Sequence, residues 1–389
     1  MAIRKVGTCE VKGEIGRGGM GIVYEARQEA LDRTVAIKAL DAKLARSKEL
    51  VERFRREGRA YAQLRHQAIV AVHDLVEKEE TVYLVTDFVD GADLTRVLAK
   101  GGTLPPECAA IVGARVAEAL DYVHFNHLLH RDVKPANVML SRDGEVKLMD
   151  FGIAKDERET DLTRAGMLVG SPSYLAPEVL GGDPADAKAD VWALGVTLYE
   201  LLTGEKPFKG RDAEELFRAI RKGSFRRIRS ITPACPRGLA RAVERCLKRS
   251  PRSRWESAGA LARALDACAA KILAGMQPQA RRRALLRWLV RRPPLKWIVS
   301  PIPEMHPQAR LVALMTHRGF AKEEEALTRI DAATLLSTRA VDLPDEGEDG
   351  ATSQSSPPRR RSRGATIALV VAVAATLLGL WLMPLPFRF

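Results

Sequence analysis

The feature that most limits the fold is the glycine cluster Gly16-Arg17-Gly18-Gly19-Met20-Gly21, taken together with the residues on its C-terminal side. A glycine turn that opens a helix marks a dinucleotide-binding βαβ unit. Here Ile22, Tyr24 and Ala26 alternate with Val23 and Glu25, and a second alternating run covers Thr34–Lys38. Alternation with period two on both sides predicts strand, glycine loop, strand, strand. Without side chains, Gly16, Gly18 and Gly21 let the backbone lie close to an anion such as phosphate, with its N–H groups turned inward.

The second strand ends in Val35-Ala36-Ile37-Lys38. A lysine in a small apolar run needs a partner for its ammonium, and a phosphate oxygen or a carboxylate would serve. Residues Leu44–Leu64 predict a helix, with Phe54, Tyr61 and Leu64 at helical spacing. Within it Glu57 is the favoured partner of Lys38, the alternative being one more exposed helix charge. Further on come His130-Arg131-Asp132-Val133-Lys134-Pro135-Ala136-Asn137, then Asp150-Phe151-Gly152, then Ala176-Pro177-Glu178.

With these five motifs in order, the chain resembles the eukaryotic-like protein kinases, and most closely their bacterial membrane-linked branch. The resemblance covers about residues 8–268. It implies an α+β, two-lobed fold, with a β-rich N-lobe and a helical C-lobe. It implies ATP as phosphate donor and Mg²⁺, or alternatively Mn²⁺, as metal. Phosphoryl transfer is mainly positioning and charge neutralisation. Asp132 would accept the substrate hydroxyl proton, and Lys134 would neutralise the γ-phosphate. Asn137 and Asp150 would be hard oxygen ligands for the metal. Lys38 would hold the α- and β-phosphates and Glu57 would hold Lys38. Ile15, Val23 and Ala36 would lie above the adenine and Met139 below it. The backbone around Asp87 and Val89 would bond the base edge, with Thr86 guarding the back pocket.

Lys134-Pro135 resembles the serine/threonine branch, and Gly170–Glu178 looks like its peptide-docking segment, with Ser171 where threonine is usual. The substrates implied are serine and threonine hydroxyls of cytoplasmic proteins. Glu178 should pair with Arg254, and Asp190 should brace the catalytic-loop backbone. Arg131 suits an added phosphate on Thr160 or Thr163, implying activation by autophosphorylation. The rival reading is a kinase-shaped scaffold without transfer activity. Its usual sign is loss of Lys38, Asp132, Asn137 or Asp150, and all four are present. His124, His127 and His130 recur every three residues, but two have simpler places, at a helix end and in a turn, and the third belongs to the catalytic motif.

Charge and hydropathy organise the remainder. The formal net charge is +13. Residues 1–270 account for +5, residues 271–364 for +7 and the last 25 for +1. Five scattered cysteines argue against a disulfide framework. Ala365–Met383 are 19 residues without charge or proline. As a helix they would span about 28 Å, the thickness of a bilayer core. Arg359, Arg360, Arg361 and Arg363 stand just before them, so the positive-inside rule places the preceding chain in the cytoplasm. The expected arrangement is a single-pass protein of the cell membrane, with Pro384–Phe389 across it, too few residues to fold. A tether concentrates copies on a surface and favours autophosphorylation between them. On this division the basic excess serves orientation and anchoring, not nucleic-acid binding.

Residues 342–364 have the composition of a disordered linker, acidic first and Ser/Pro/Arg-rich after. Residues 271–341 form a basic segment of expected helical character. Ala280–Arg292 suits a basic helix. Ala309–Leu336 suits a second helix, with Leu311, Leu314, Met315, Leu327 and Ile330 free to pack. Three roles stay open for the segment: a membrane-surface helix, a docking face for the catalytic domain or another protein, and a plain appendage.

Overall fold

A computed structural model of the chain describes residues 4–18, 21–41, 47–78, 81–151, 172–275 and 307–320. The alternating N-terminal runs form an antiparallel sheet of six strands. These are β1 (Lys5–Val6), β2 (Cys9–Gly18), β3 (Gly21–Gln28), β4 (Arg33–Leu40), β5 (Val72–Lys78) and β6 (Thr81–Asp87), in the order β1-β2-β3-β4-β6-β5. Its apolar side carries a small core of Val6, Cys9, Ala26, Val35, Ile37, Ala39, Tyr83 and Val85. The glycine cluster joins β2 to β3, as the alternation requires, and no helix comes directly after it.

Between β4 and β5 lies α1 (Lys48–Tyr61), shorter than the expected 44–64. Its C-terminal side stops where the Arg65 guanidinium donates to the carbonyls of Ala62 (3.0 Å) and Leu64 (3.1 Å). Such a cation satisfies carbonyls that the helix leaves unpaired.

After β6 the chain makes a second, three-stranded sheet, β7 (Gly91–Asp93), β8 (Val138–Ser141) and β9 (Val146–Leu148). The helices α2 (Leu94–Gly101) and α3 (Pro106–Phe125) are inserted between β7 and β8. Asp93 caps α2, its carboxylate accepting from the Arg96 N–H at 3.0 Å. Alanine-rich α3 is buried on most of its circumference. It packs on α5 (Ala187–Thr203) and on α9 (Ala258–Gly275). Gly113 of α3 makes this approach possible, since a Cβ there would fall 2.7 Å from Leu198. The elements α4 (Pro177–Gly181), α6 (Ala213–Lys222), α7 (Ile228–Ile231) and α8 (Arg237–Cys246) complete the helical part. Helix α9 runs on to Gly275, past the edge at 268 expected from the motifs.

One more helix, α10 (Pro307–His317), packs on α3 and β8. The sequence pattern spans 309–336, of which 321–336, with Leu327 and Ile330, lie outside the described residues. This helix stops at His317, because Gly319 takes the left-handed conformation (φ 69°) and the Phe320 N–H bonds the Met315 carbonyl at 2.9 Å. Among the described residues no helix is long and apolar enough to cross a membrane. The apolar stretch 365–383, the linker 342–364 and the basic run 280–292 lie outside the described residues.

Candidate active site

The loop 130–137 is shaped by one buried carboxylate. Asp190, near the start of α5, accepts from the His130 N–H (2.9 Å) and the Arg131 N–H (2.8 Å). The His124 ring Nε2 lies 2.8 Å from its Oδ2. Arg131 is thereby held at φ 63°, a left-handed conformation that costs an ordinary residue of order 1–3 kcal/mol. Burial alone would raise the Asp190 carboxyl, but the His124 hydrogen bond and the nearby His130 outweigh it and hold the group below its ordinary value. The expected brace is therefore present, and His124 is a second member that the sequence pattern did not reveal.

Asp132 emerges from this loop with a nearly buried side chain. Its Oδ2 accepts from Lys134 Nζ at 2.7 Å and from Asn137 Nδ2 at 2.8 Å. The same Asn137 nitrogen lies 2.8 Å from the Asp132 carbonyl and 3.4 Å from the Asp150 carbonyl. With the nitrogen turned inward, the amide oxygen is the atom Asn137 can offer to a metal. Asp150 is also left-handed (φ 55°), and its Oδ1 receives Lys38 Nζ at 2.7 Å. Lys38, Asp150, Asn137, Asp132 and Lys134 thus form one continuous chain of contacts, although 96 positions separate the first from the last.

A stack of rings sets α1 against this loop. Phe151 stacks on Tyr61 (4.1 Å between ring centres) and lies 4.6 Å from the His130 ring. The Tyr61 hydroxyl donates to the Leu129 carbonyl at 3.1 Å. Glu57 stands one turn before Tyr61 and shares its face of α1, half-buried. Fully buried His130 has its Nε2 3.1 Å from the Met149 carbonyl and its Nδ1 3.3 Å from the Asp132 N–H, so Nε2 carries the proton. Desolvation lowers its basicity. The ring column is legible only in part: Phe151 belongs to a motif, whereas Tyr61 reads as ordinary helix core.

Of the residues expected around a purine, Val23 and Ala36 lie on adjacent strands of the six-stranded sheet, and Met139 lies in the three-stranded one. Gly16 pairs with Val23, Val23 with Lys38, and Ala36 with Thr86. Ile15 is half-exposed, as Met139, Val23 and Ala36 are in part. Met139 pairs with Asp93 on one side and Lys147 on the other. The Asp87 carboxylate turns away to His73 (2.7 Å) and the Ala71 N–H (3.1 Å). The Asp87 side chain is therefore committed away from the β4 side, and its N–H bonds the Ala71 carbonyl at 3.0 Å. Gly18 has open space where a Cβ would stand, and one at Gly16 would make only an ordinary contact with Val23 at 4.0 Å. Gly21 differs: a Cβ would fall 1.8 Å from the Ala39 carbonyl oxygen, so packing on β4 dictates glycine there.

The oxygen donors Asn137 and Asp150 fit a hard cation that keeps water and phosphate in its shell, as Mg²⁺ does. Glu178 and Arg254 form the expected pair, bidentate at 2.6 and 2.7 Å, with the guanidinium fully buried. Thr160, Thr163 and Ser171 lie outside the described residues.

The family described as "Protein kinase domain" matches residues 9–265. Among curated relatives, the serine/threonine-protein kinase PknH of Mycobacterium tuberculosis is 36% identical over 66% of this chain and 41% of its own length. PrkC of Bacillus subtilis is 34% identical over 65% of this chain and 39% of its own. PkaA of Streptomyces coelicolor is 40% identical over 64% and 48%. The chain therefore spans less than half the length of these relatives. Among solved structures, the kinase domain of Mycobacterium tuberculosis PknI is 30% identical with a TM-score of 0.56, covering 69% of this chain and 99% of that domain.

Proposed function

This chain belongs to the protein kinase family, and we propose that it transfers the γ-phosphate of ATP to serine and threonine hydroxyls of cytoplasmic proteins. The observation that carries this is the contact chain from Lys38 through Asp150 and Asn137 to Asp132 and Lys134. Asp132 would orient the substrate hydroxyl and take its proton as the new oxygen–phosphorus bond forms and the bond to the leaving ADP breaks. Lys134, beside that carboxylate, would neutralise charge on the transferring group, and Lys38 would hold the phosphates still to be released. Asn137 and Asp150 would hold Mg²⁺, whose charge would offset that of the phosphates. The relatives' names support the serine/threonine preference.

The apolar stretch 365–383 behind four arginines supports tethering to the cell membrane with the catalytic region in the cytoplasm. Tethered copies would meet often, which favours autophosphorylation of Thr160 or Thr163. A scaffold without transfer activity is disfavoured by the presence of every group the transfer needs.

The test is the full chain with labelled ATP and Mg²⁺, comparing wild type with Asp132→Asn. The variant should lose transfer yet bind a non-hydrolysable ATP analogue as wild type does; undiminished transfer would refute the mechanism.

A further inference from the structure

The family match ends at residue 265, yet residues 307–320 are built into the same core. Leu311, Val312, Leu314 and Met315 are all nearly or fully buried. The polar contacts are as specific as the apolar ones. Gln308 Nε2 donates to the Asp143 carbonyl in the β8–β9 turn at 2.9 Å. Arg318, 9% exposed, donates to three carbonyls at the end of α2: Val97, Gly102 (3.1 Å) and Thr103 (2.7 Å). Lys100 of α2 lies 4.0 Å from the Phe320 ring centre. A guanidinium at a helix C-terminus meets the negative end of the helix dipole and satisfies carbonyls that would otherwise lack donors.

Two glycines on the receiving side are shaped for this contact. A Cβ at Gly144 would fall 2.6 Å from the Gln308 carbonyl oxygen. One at Gly101 would fall 2.7 Å from Arg318 Nε. Without side chains, both let the segment sit directly on backbone.

We propose that the groove between the α2 C-terminus, α3 and the β8–β9 turn is a receptor site for one occupant, this chain's own segment 307–320. The groove recognises an amphipathic helix closed by a glycine turn, with an arginine at its end. Of the three roles left open by the sequence, these residues take docking on the catalytic domain. The intervening residues 276–306 could reach roughly 100 Å if extended, so chain length places no obstacle to docking in cis. The segment packs on β8, which carries Met139, and fixes the β8–β9 turn through Gln308 and the end of α2 through Arg318. Docking is therefore expected to stiffen the floor of the nucleotide cleft. It depends on packing alone, whether or not the chain transfers phosphate.

The experiment uses the full chain carrying Leu311→Asp and Met315→Asp, which empties the groove, and a fluorescent peptide of residues 305–322. The emptied variant should bind the peptide saturably. Wild type should bind it at least tenfold more weakly, because its own segment competes at high effective concentration. A peptide carrying Arg318→Ala should also bind at least tenfold more weakly. A folded variant that ignores the peptide, or wild type that binds it equally, overturns the proposal. Hydrogen exchange on wild type decides the matter if the variant does not fold. Amides of 311–316 should then exchange as slowly as those of α3, with and without anionic vesicles. Exchange at the rate of an unstructured chain, or release of the segment onto vesicles, overturns it.

Discussion

Arg254→Met tests a deeply buried ion pair of the helical part. The guanidinium has no exposure, Glu178 little, and together they join α4 to the 3₁₀ turn Pro251–Ser253. Arg254 also donates to the carbonyls of Lys188 (2.9 Å), Lys248 (2.9 Å) and Arg249 (3.2 Å). Methionine keeps a long side chain near the Trp192 ring, which the guanidinium now faces at 4.8 Å. It leaves the Glu178 carboxylate and three carbonyls without their donors. Removing one partner of a buried pair costs about 3–5 kcal/mol. In a domain of this size each kcal/mol moves the melting temperature by about 2–4 °C, so a fall of roughly 6–20 °C is expected. Thermal melts of wild type, Arg254→Met, Glu178→Gln and the double variant provide the assay. The double variant should be more stable than the summed single effects allow, because Glu178→Gln removes the stranded charge. A single variant melting within about 2 °C of wild type, or strict additivity, would show that the pair is not what holds this corner.

The two kinds of glycine in the loop should separate by substitution. Gly21→Ala should destabilise by about 1–3 kcal/mol through its clash with the Ala39 carbonyl, whereas Gly18→Ala should stay within about 0.5 kcal/mol of wild type in urea denaturation. Because the Asp190 carboxyl is held below its ordinary value, its contribution is complete above the unfolded value near 4 and is lost as pH falls through the folded one. Stability measured between pH 5 and pH 3 should therefore fall less steeply in Asp190→Asn, although that variant starts lower; equal slopes would count against the brace.

The chemistry-bearing residues were legible because their motifs are local. The alternation around residues 16–38 determined strands on both sides of the glycine loop, and the spacing within 130–137 put Asp132, Lys134 and Asn137 on one loop. The apolar run at 365–383 and its arginines are likewise properties of the sequence alone. Partner choice over distance was not legible. Lys38 has Glu57 as its favoured carboxylate in the sequence, and in space its ammonium meets Asp150, because β4 and the end of β9 converge only after the sheets form. Tyr61 looks like helix core until Phe151 and His130 stack beside it, and His124 looks like a helix end until Asp190 arrives from α5. The pattern at 309–336 offered a helix with an apolar face but not its length or its place. A period of 3.6 says that a face must be covered, not by what. Gly319 ended the helix, and the backbone clefts at Gly101 and Gly144 decided where Arg318 and Gln308 could approach, a matter of shape between segments over 160 residues apart that no local pattern encodes.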